Sequence, residues 1–349
     1  MRDNERACVI MGREEKMKKI LVFGSLNIDI VYSLEHIVRP GETLLSSNIE
    51  KNAGGKGLNQ ACAIAKTGLD VYMAGCVGED GDMLLETLSS FGVDVSNVKR
   101  VKMPTGNAII QRSGDGQNSI ILFAGANRVI EKSMVDSVLS SFSQGDIIVL
   151  QNEINGLDEI IRGAKDKGMY VVFNPAPFDS SVFTLPLEKV DLLVVNEIEG
   201  AGVAGKSEDA SYIEILDAIL EKYPKNEVIM TCGKNGSYWQ KGKNRIFEKA
   251  LTVDAVDTTA AGDTYIGYFI ASRELGYDTK KAMEYATLAS SVTVTRKGAA
   301  GSVPVQRNDS REHRLRYVGR RGRRVQTARD RARSARRLRS QRYARTRYT

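Results

Sequence analysis

Asp257-Thr258-Thr259-Ala260-Ala261-Gly262-Asp263-Thr264 is a turn of small residues that runs into an apolar segment, residues 265–275, and carries an acid near each end. A turn with so little side-chain bulk lets the N–H groups at a helix start come close to an anion. Asp263 then stands at the mouth of that site, where a carboxylate can receive a proton. Taken alone, the stretch also fits a plain loop in which an aspartate caps a helix.

The stretch does not stand alone. Near the other end of the chain, Gly24-Ser25-Leu26-Asn27-Ile28-Asp29 closes an apolar strand, and Asn52-Ala53-Gly54-Gly55-Lys56-Gly57-Leu58-Asn59-Gln60 precedes a helical pattern. Asn and Asp side chains beside a glycine pair suit a polyhydroxylated ligand, each of whose hydroxyls donates and accepts. Lys56 is followed by Gly57, so the G-x-x-x-x-G-K-[ST] spacing of a P-loop is absent, which argues against a Walker-type NTPase.

From residue 18 to residue 304 the chain resembles the ribokinase branch of the PfkB carbohydrate-kinase family. The resemblance rests on residues 54–61 and 257–264, about two hundred positions apart, and on Thr105-Gly106-Asn107-Ala108, Ala124-Gly125-Ala126-Asn127, Asn174-Pro175-Ala176-Pro177, Asn196-Glu197-Ile198-Glu199 and Thr295-Arg296-Lys297-Gly298-Ala299. It implies ATP-dependent phosphorylation of ribose at its 5-hydroxyl. Asp263 takes the hydroxyl proton, and the N–H groups of Ala260, Ala261 and Gly262 form an anion hole. Asn27, Asp29, Gly55, Lys56, Asn59 and Glu153 hold the sugar.

For the nucleotide the resemblance points to Asn196, Thr231, Gly233, Gly236 and Thr287. Glu199 faces Mg²⁺ through water, the ion itself contacting mostly ATP oxygens. Asp257, Thr259, Thr293, Arg296, Gly298 and Ser302 enclose a monovalent cation, K⁺, mainly through carbonyls. The other substrates that the same machinery would serve are deoxyribose, adenosine and pseudouridine.

The chain has 349 residues, and its 42% hydrophobic content is ample for a buried core. No apolar run reaches the length of a membrane span. Residues 1–16 are charged and lack a signal-peptide core, which predicts a cytoplasmic protein; Met17, just before the first strand pattern, is a candidate start. Cys8, Cys62, Cys76 and Cys232 form no C-x-x-C pair and read as reduced thiols, three of them in apolar segments. The two histidines, His36 and His313, stand outside every motif, which leaves no material for Ser-His-Asp catalysis or a His-based metal site.

The net charge of +7 hides two unlike segments. From Val305 onward seventeen arginines and no lysine face three acids, a net +14, so the rest of the chain carries −7. Residues 1–17 thus read as an extension, 18–304 as the kinase domain and 305–349 as a disordered tail. Two readings of the tail stand. One is a nucleic-acid-binding arm, which would make the whole chain a regulator on an inert kinase fold. The other, favoured by the disappearance of lysine, is a shift of reading frame near Val305; the intact turn at Asp263 speaks against inertness.

Apolar runs at 20–23, 71–74, 147–150, 171–173, 192–195 and 228–230 read as strands buried on both faces, with amphipathic helices such as 58–67, 83–91 and 213–222 between most of them. That alternation predicts a parallel sheet covered by helices on both sides, a three-layer α/β/α fold. Ligands bind such sheets beyond the carboxyl ends of the strands, where Asn27, Glu153, Asn174 and Asn196 fall. Residues 29–51 and 105–124 alternate like antiparallel strands, with a hairpin turn at Gly114-Asp115-Gly116. In the family such strands form a lid over the sugar, often paired with a second subunit, so a homodimer through the lid is expected.

Overall fold

The computed structural model describes residues 18–309 and 314–318; the expected extension and most of the arginine-rich tail lie outside them. In chain order, β1 (Ile20–Phe23), β2 (Asn27–Leu34) and β3 (Asn48–Gly54) lead into α1 (Lys56–Ala65), followed by β4 (Val71–Val77), α2 (Asp82–Ser90) and β5 (Asp94–Arg100). Next come β6 (Gly106–Ser113), β7 (Asn118–Phe123), α3 (Lys132–Ser140), β8 (Ile147–Gln151), α4 (Leu157–Asp166) and β9 (Tyr170–Asn174). The rest of the first unit comprises β10 (Leu192–Asn196), α5 (Glu197–Ala204), α6 (Tyr212–Lys222), β11 (Glu227–Thr231), β12 (Ser237–Lys241), β13 (Asn244–Glu248), α7 (Ala261–Glu274) and α8 (Thr279–Thr293).

Nine strands join in the order β13-β12-β11-β10-β9-β8-β1-β4-β5. From β11 to β5 all pairs are parallel, while β12 and β13 extend the edge antiparallel. The inner strands are apolar throughout because both faces are covered. Leu21, Phe23, Ile148, Leu150, Val171, Phe173, Leu193 and Val195 pack with α3, α4, α5 and α6. The alternate residues Ile20, Val22, Val149 and Val172 are equally buried and face the opposite side. There α7 packs on both α1 and α8, closely enough to α1 that a Cβ on Gly267 would meet Ala63 at 2.6 Å. The three-layer expectation is met.

The lid is a separate four-stranded sheet in the order β3-β2-β6-β7. Its outer pairs are antiparallel, but β2 and β6 run parallel, from Asn27 opposite Gly106 to Leu34 opposite Ser113. This corrects the all-antiparallel reading. Alternation fixes which face a residue takes and says nothing about the direction of the partner. The hairpin at residues 114–116 forms as expected, with Gly116 at φ 88 and Ser113 N–H bonded to Gln117 O at 3.0 Å.

A second unit begins at Pro304. Where composition predicts a structureless tail, β14 (Val305–Asp309) and β15 (Arg314–Val318) form an antiparallel pair. The remainder of that expectation falls outside the described residues. Among those residues no helix is long and apolar enough to cross a membrane.

Candidate active site

Helix α7 begins on the small-residue turn, and Asp263 is its third residue. The turn closes through Ala260 at φ 59, the one non-glycine with positive φ among the described residues. An acid at this helix position commonly folds back onto the N-terminal N–H groups. Asp263 does not: Oδ2 accepts from Asn59 Nδ2 at 3.1 Å and Oδ1 from Gln60 Nε2 at 2.9 Å, both on α1, with the residue 7% exposed. The capping reading therefore fails. Of the three N–H groups expected to receive an anion, that of Ala261 donates to Thr258 O at 3.2 Å. A Cβ on Gly262 would meet nothing within 4 Å, so the space beside it is open.

The start of α1 is drawn against the β1–β2 junction by glycines. Gly55 holds φ 94 and its Cα side faces Ser25 O, while a Cβ on Gly57 would lie 2.6 Å from Ser25 N. This approach brings Lys56 N–H to Glu153 Oε2 at 3.3 Å, and the Ser25 hydroxyl bonds the same oxygen. Asn27, almost fully buried, is oriented by Asn127, whose Nδ2 donates to Asn27 Oδ1 at 2.8 Å and whose Oδ1 accepts from Leu26 N at 3.0 Å. The Asp29 carboxylate lies against Gly54, where any side chain would collide with it.

Charge is concentrated here. Burial disfavours the Lys56 cation, yet Asp263, Glu153 and Glu199 outweigh that and hold it above the usual lysine range. Burial raises Glu153, against the pull of Lys56 and the Ser25 hydrogen bond. Burial, then the charge of Glu153, pushes Asp29 up to about 7.

Of the residues expected at the nucleotide, Asn196 and Thr231 are neighbours across β10 and β11. Asn196 caps α5: its Oδ1 accepts from Glu199 N at 2.7 Å, and Glu199 Oε2 accepts from Asn196 N at 3.0 Å and from Asn174 Nδ2 at 3.4 Å. Burial raises Glu199 despite these bonds. Gly233 and Gly236 hold φ 49 and φ 102 around a short turn. The following Ser237 bonds Tyr265 at 2.8 Å, and Tyr265 also bonds Thr287, which joins these residues into one region.

The residues expected around a monovalent cation are likewise brought together. Asp257 accepts from Thr259 N at 2.9 Å and from Gly298 N at 3.0 Å, bonds that hold its carboxyl below the usual range although burial works the other way. Arg296 donates to Ser302 O at 3.0 Å, and Thr293 bonds Thr264 at 3.1 Å, directly beside Asp263. The donor set is entirely oxygen and fits a hard cation, with the Arg296 guanidinium competing for one carbonyl. No cluster of three or more His, Cys, Asp or Glu side chains arranged for a metal occurs among the described residues.

Sequence reasoning gave no role to Ser25, Gln60, Asn127 or Gln151. Ser25, Gln60 and Asn127 stood inside the quoted motifs, which was the available signal; Gln151, inside β8, gave none. A cavity of about 370 Å³ at the amino ends of β1, β8, β9 and β10 contains none of the expected site residues, and its cations are spent on acids: Lys18 on Glu274, Lys165 on Asp191, Arg273 on Glu227.

Comparison with known proteins bears on this arrangement. The pfkB family carbohydrate kinase model matches residues 17–306. The ribokinase of Haemophilus influenzae is 34% identical over 299 residues, covering 83% of this chain and 96% of that protein. A deoxyribokinase of Salmonella typhi is 32% identical over 293 residues, covering 82% and 95%. The structure of Arabidopsis thaliana ribokinase complexed with ribose and ATP superimposes with a TM-score of 0.73 at 29% identity, covering 82% of this chain and 95% of that one.

Proposed function

The chain belongs to the PfkB family of carbohydrate kinases and is a sugar kinase of its ribokinase branch; from that premise we propose that it transfers the γ-phosphoryl group of ATP to the 5-hydroxyl of ribose, giving ribose 5-phosphate and ADP. The observation that carries the reading is the Asp263 carboxylate, held at both oxygens by α1 and standing at an open helix start.

In the step, the ribose hydroxyl gives its proton to Asp263 as its oxygen bonds the γ-phosphorus. The bond from that phosphorus to the bridging oxygen breaks, and the electron pair leaves with ADP. N–H groups at the start of α7 stabilise charge on the transferring oxygens, Gly262 foremost, since the Ala261 N–H has an acceptor of its own. Lys56 partly offsets the negative charge of Asp263, Glu153 and Glu199 around it. Asn27, Asp29, Asn59 and Glu153 take the sugar hydroxyls. Glu199 and Asn196 would hold the hydration shell of Mg²⁺, which when bound neutralises phosphate charge. The loops at 257–259 and 293–302 would hold K⁺.

The lid supports a dimer. Edge strand β7 leaves Ile120, Ile121, Leu122 and Phe123 between 46% and 60% exposed, an apolar run that a second lid would cover.

A panel of ribose, 2-deoxyribose, adenosine and pseudouridine, read by ATP consumption, tests the reading, with Asp263→Asn as the catalytic control. Ribose should lead, and Asp263→Asn should lower kcat by about two to four powers of ten. The deoxyribokinase likeness favours 2-deoxyribose as the second reading, and its lead in the panel would establish it.

A further inference from the structure

Two wholly buried glutamines stand in line behind Asp263. Gln60 Nε2 donates to Asp263 Oδ1 at 2.9 Å, and Gln151 Nε2 donates to Gln60 Oε1 at 2.7 Å. The carboxylate fixes the direction of this chain. An ionised Asp263 only accepts, so Gln60 must present its NH₂ to it and its oxygen to Gln151, which must then present NH₂ in turn. What remains at the far end is Gln151 Oε1, buried without a donor and lying against Gly24, where a Cβ would collide with it. An unpaired buried acceptor is destabilising, and an apolar pair of similar shape would fill the space without it. The chain of amides is therefore not the most stable filling of this volume, and the end that it serves is Asp263.

We infer that Gln60 and Gln151 are positioning residues: a relay of two amides that fixes the plane of the Asp263 carboxylate for proton transfer from the sugar. Each carboxylate oxygen has two acceptor directions. Asn59 occupies one on Oδ2 and Gln60 one on Oδ1, so rotation of the carboxylate breaks both bonds, while the directions left over remain for the incoming hydroxyl. Lys56, Glu153 and Glu199 act on the same site through charge, which sets a potential without setting a plane. The plane matters because a misplaced acceptor forfeits much of the gain from orientation. The inference rests on the reading of Asp263 as base.

Methionine has nearly the volume of glutamine and no hydrogen-bonding amide. Gln60→Met should lower kcat about tenfold or more while the KM values for ribose and ATP stay within about twofold. Gln151→Met, which leaves the Gln60–Asp263 bond in place, should cost about threefold. The double variant should be no slower than Gln60→Met, and if Gln60→Met does not fold, the double variant, which leaves neither amide unpaired, carries the comparison. In an Asp263→Asn background Gln60→Met should change kcat by less than about twofold, because the plane no longer matters to a group that takes no proton. Normal kcat in folded Gln60→Met, or an equal loss in the Asp263→Asn background, overturns the relay. Retained turnover in Asp263→Asn alone marks a different failure: the base reading is then wrong, and the relay falls with it.

Discussion

Asp29 and Gly54 touch across the first strand pair of the lid, so that a Cβ at position 54 would fall on the Asp29 carboxylate. Gly54 is thus fixed by its neighbour's charge-bearing group. Gly54→Ala should displace that carboxylate and raise the KM for ribose at least about tenfold, the cost of one lost buried hydrogen bond, with kcat changed far less. Steady-state kinetics with ribose varied at saturating ATP decide it. A fall in kcat at unchanged KM would remove Asp29 from the sugar site.

The Asp29 carboxyl, raised to about 7 by burial and then by Glu153, titrates within the working range. Below that value it is protonated and loses an acceptor for sugar hydroxyls. The kcat/KM for ribose should therefore fall as pH drops from about 8 to about 6, and Asp29→Asn should flatten this limb. Stability runs the other way. The folded state binds this proton more tightly than the unfolded state does, so the contribution grows as pH falls from about 7 toward the usual carboxylate range. Thermal midpoints across that window should rise for the parent relative to Asp29→Asn.

Sugar choice follows from the same residues. A site that hydrogen-bonds a hydroxyl leaves buried groups unpaired when the hydroxyl is missing, at roughly 1–3 kcal/mol each. Ribose should exceed 2-deoxyribose by at least about tenfold in kcat/KM, and Asp29→Ala should remove much of the difference. Equal efficiency on the two sugars would shift the reading to a less selective kinase while leaving Asp263 in place.

Every residue assigned to the reaction lies at or before Ser302, so a chain ended at Val305 should phosphorylate ribose with kcat and KM within about twofold of the full chain. Loss of activity in a folded truncated protein would make the tail part of the site. Binding of duplex DNA by the full chain alone, falling steeply with salt, would show only that seventeen arginines attract phosphate.

The layered core was legible because strands covered on both faces read as unbroken apolar runs: Ile20, Leu21, Val22 and Phe23 are all fully buried. The lid was legible as alternating strands, yet the parallel pairing of β2 with β6 was not, since alternation carries no information on partner direction. Asn27 and Asp263 stood out by their place at a strand end and a small-residue turn, and both are nonetheless buried among hydrogen-bond partners. Gln151 escaped because it occupies the last position of a core strand, and a glutamine there differs from a surface glutamine only in what surrounds it. The left-handed Ala260 escaped for a related reason, as alanine gives no sign of an αL backbone.

The separation of the two sheets puts Asp29, one of the proposed sugar contacts, on a different element from Asp263. Asp29 lies on the lid, whereas Lys56, Asn59, Gln60 and Asp263 lie on helices of the core, and Asn127 ties the root of β2 to the core by three hydrogen bonds. A protein engineer could treat the four-stranded plate as a cartridge, cut at the Asn27, Gly54, Gly106 and Phe123 roots and exchanged for that of a relative. Asn59 and Glu153 would stay behind with the core, so the exchange would measure how much of the sugar preference travels with Asp29.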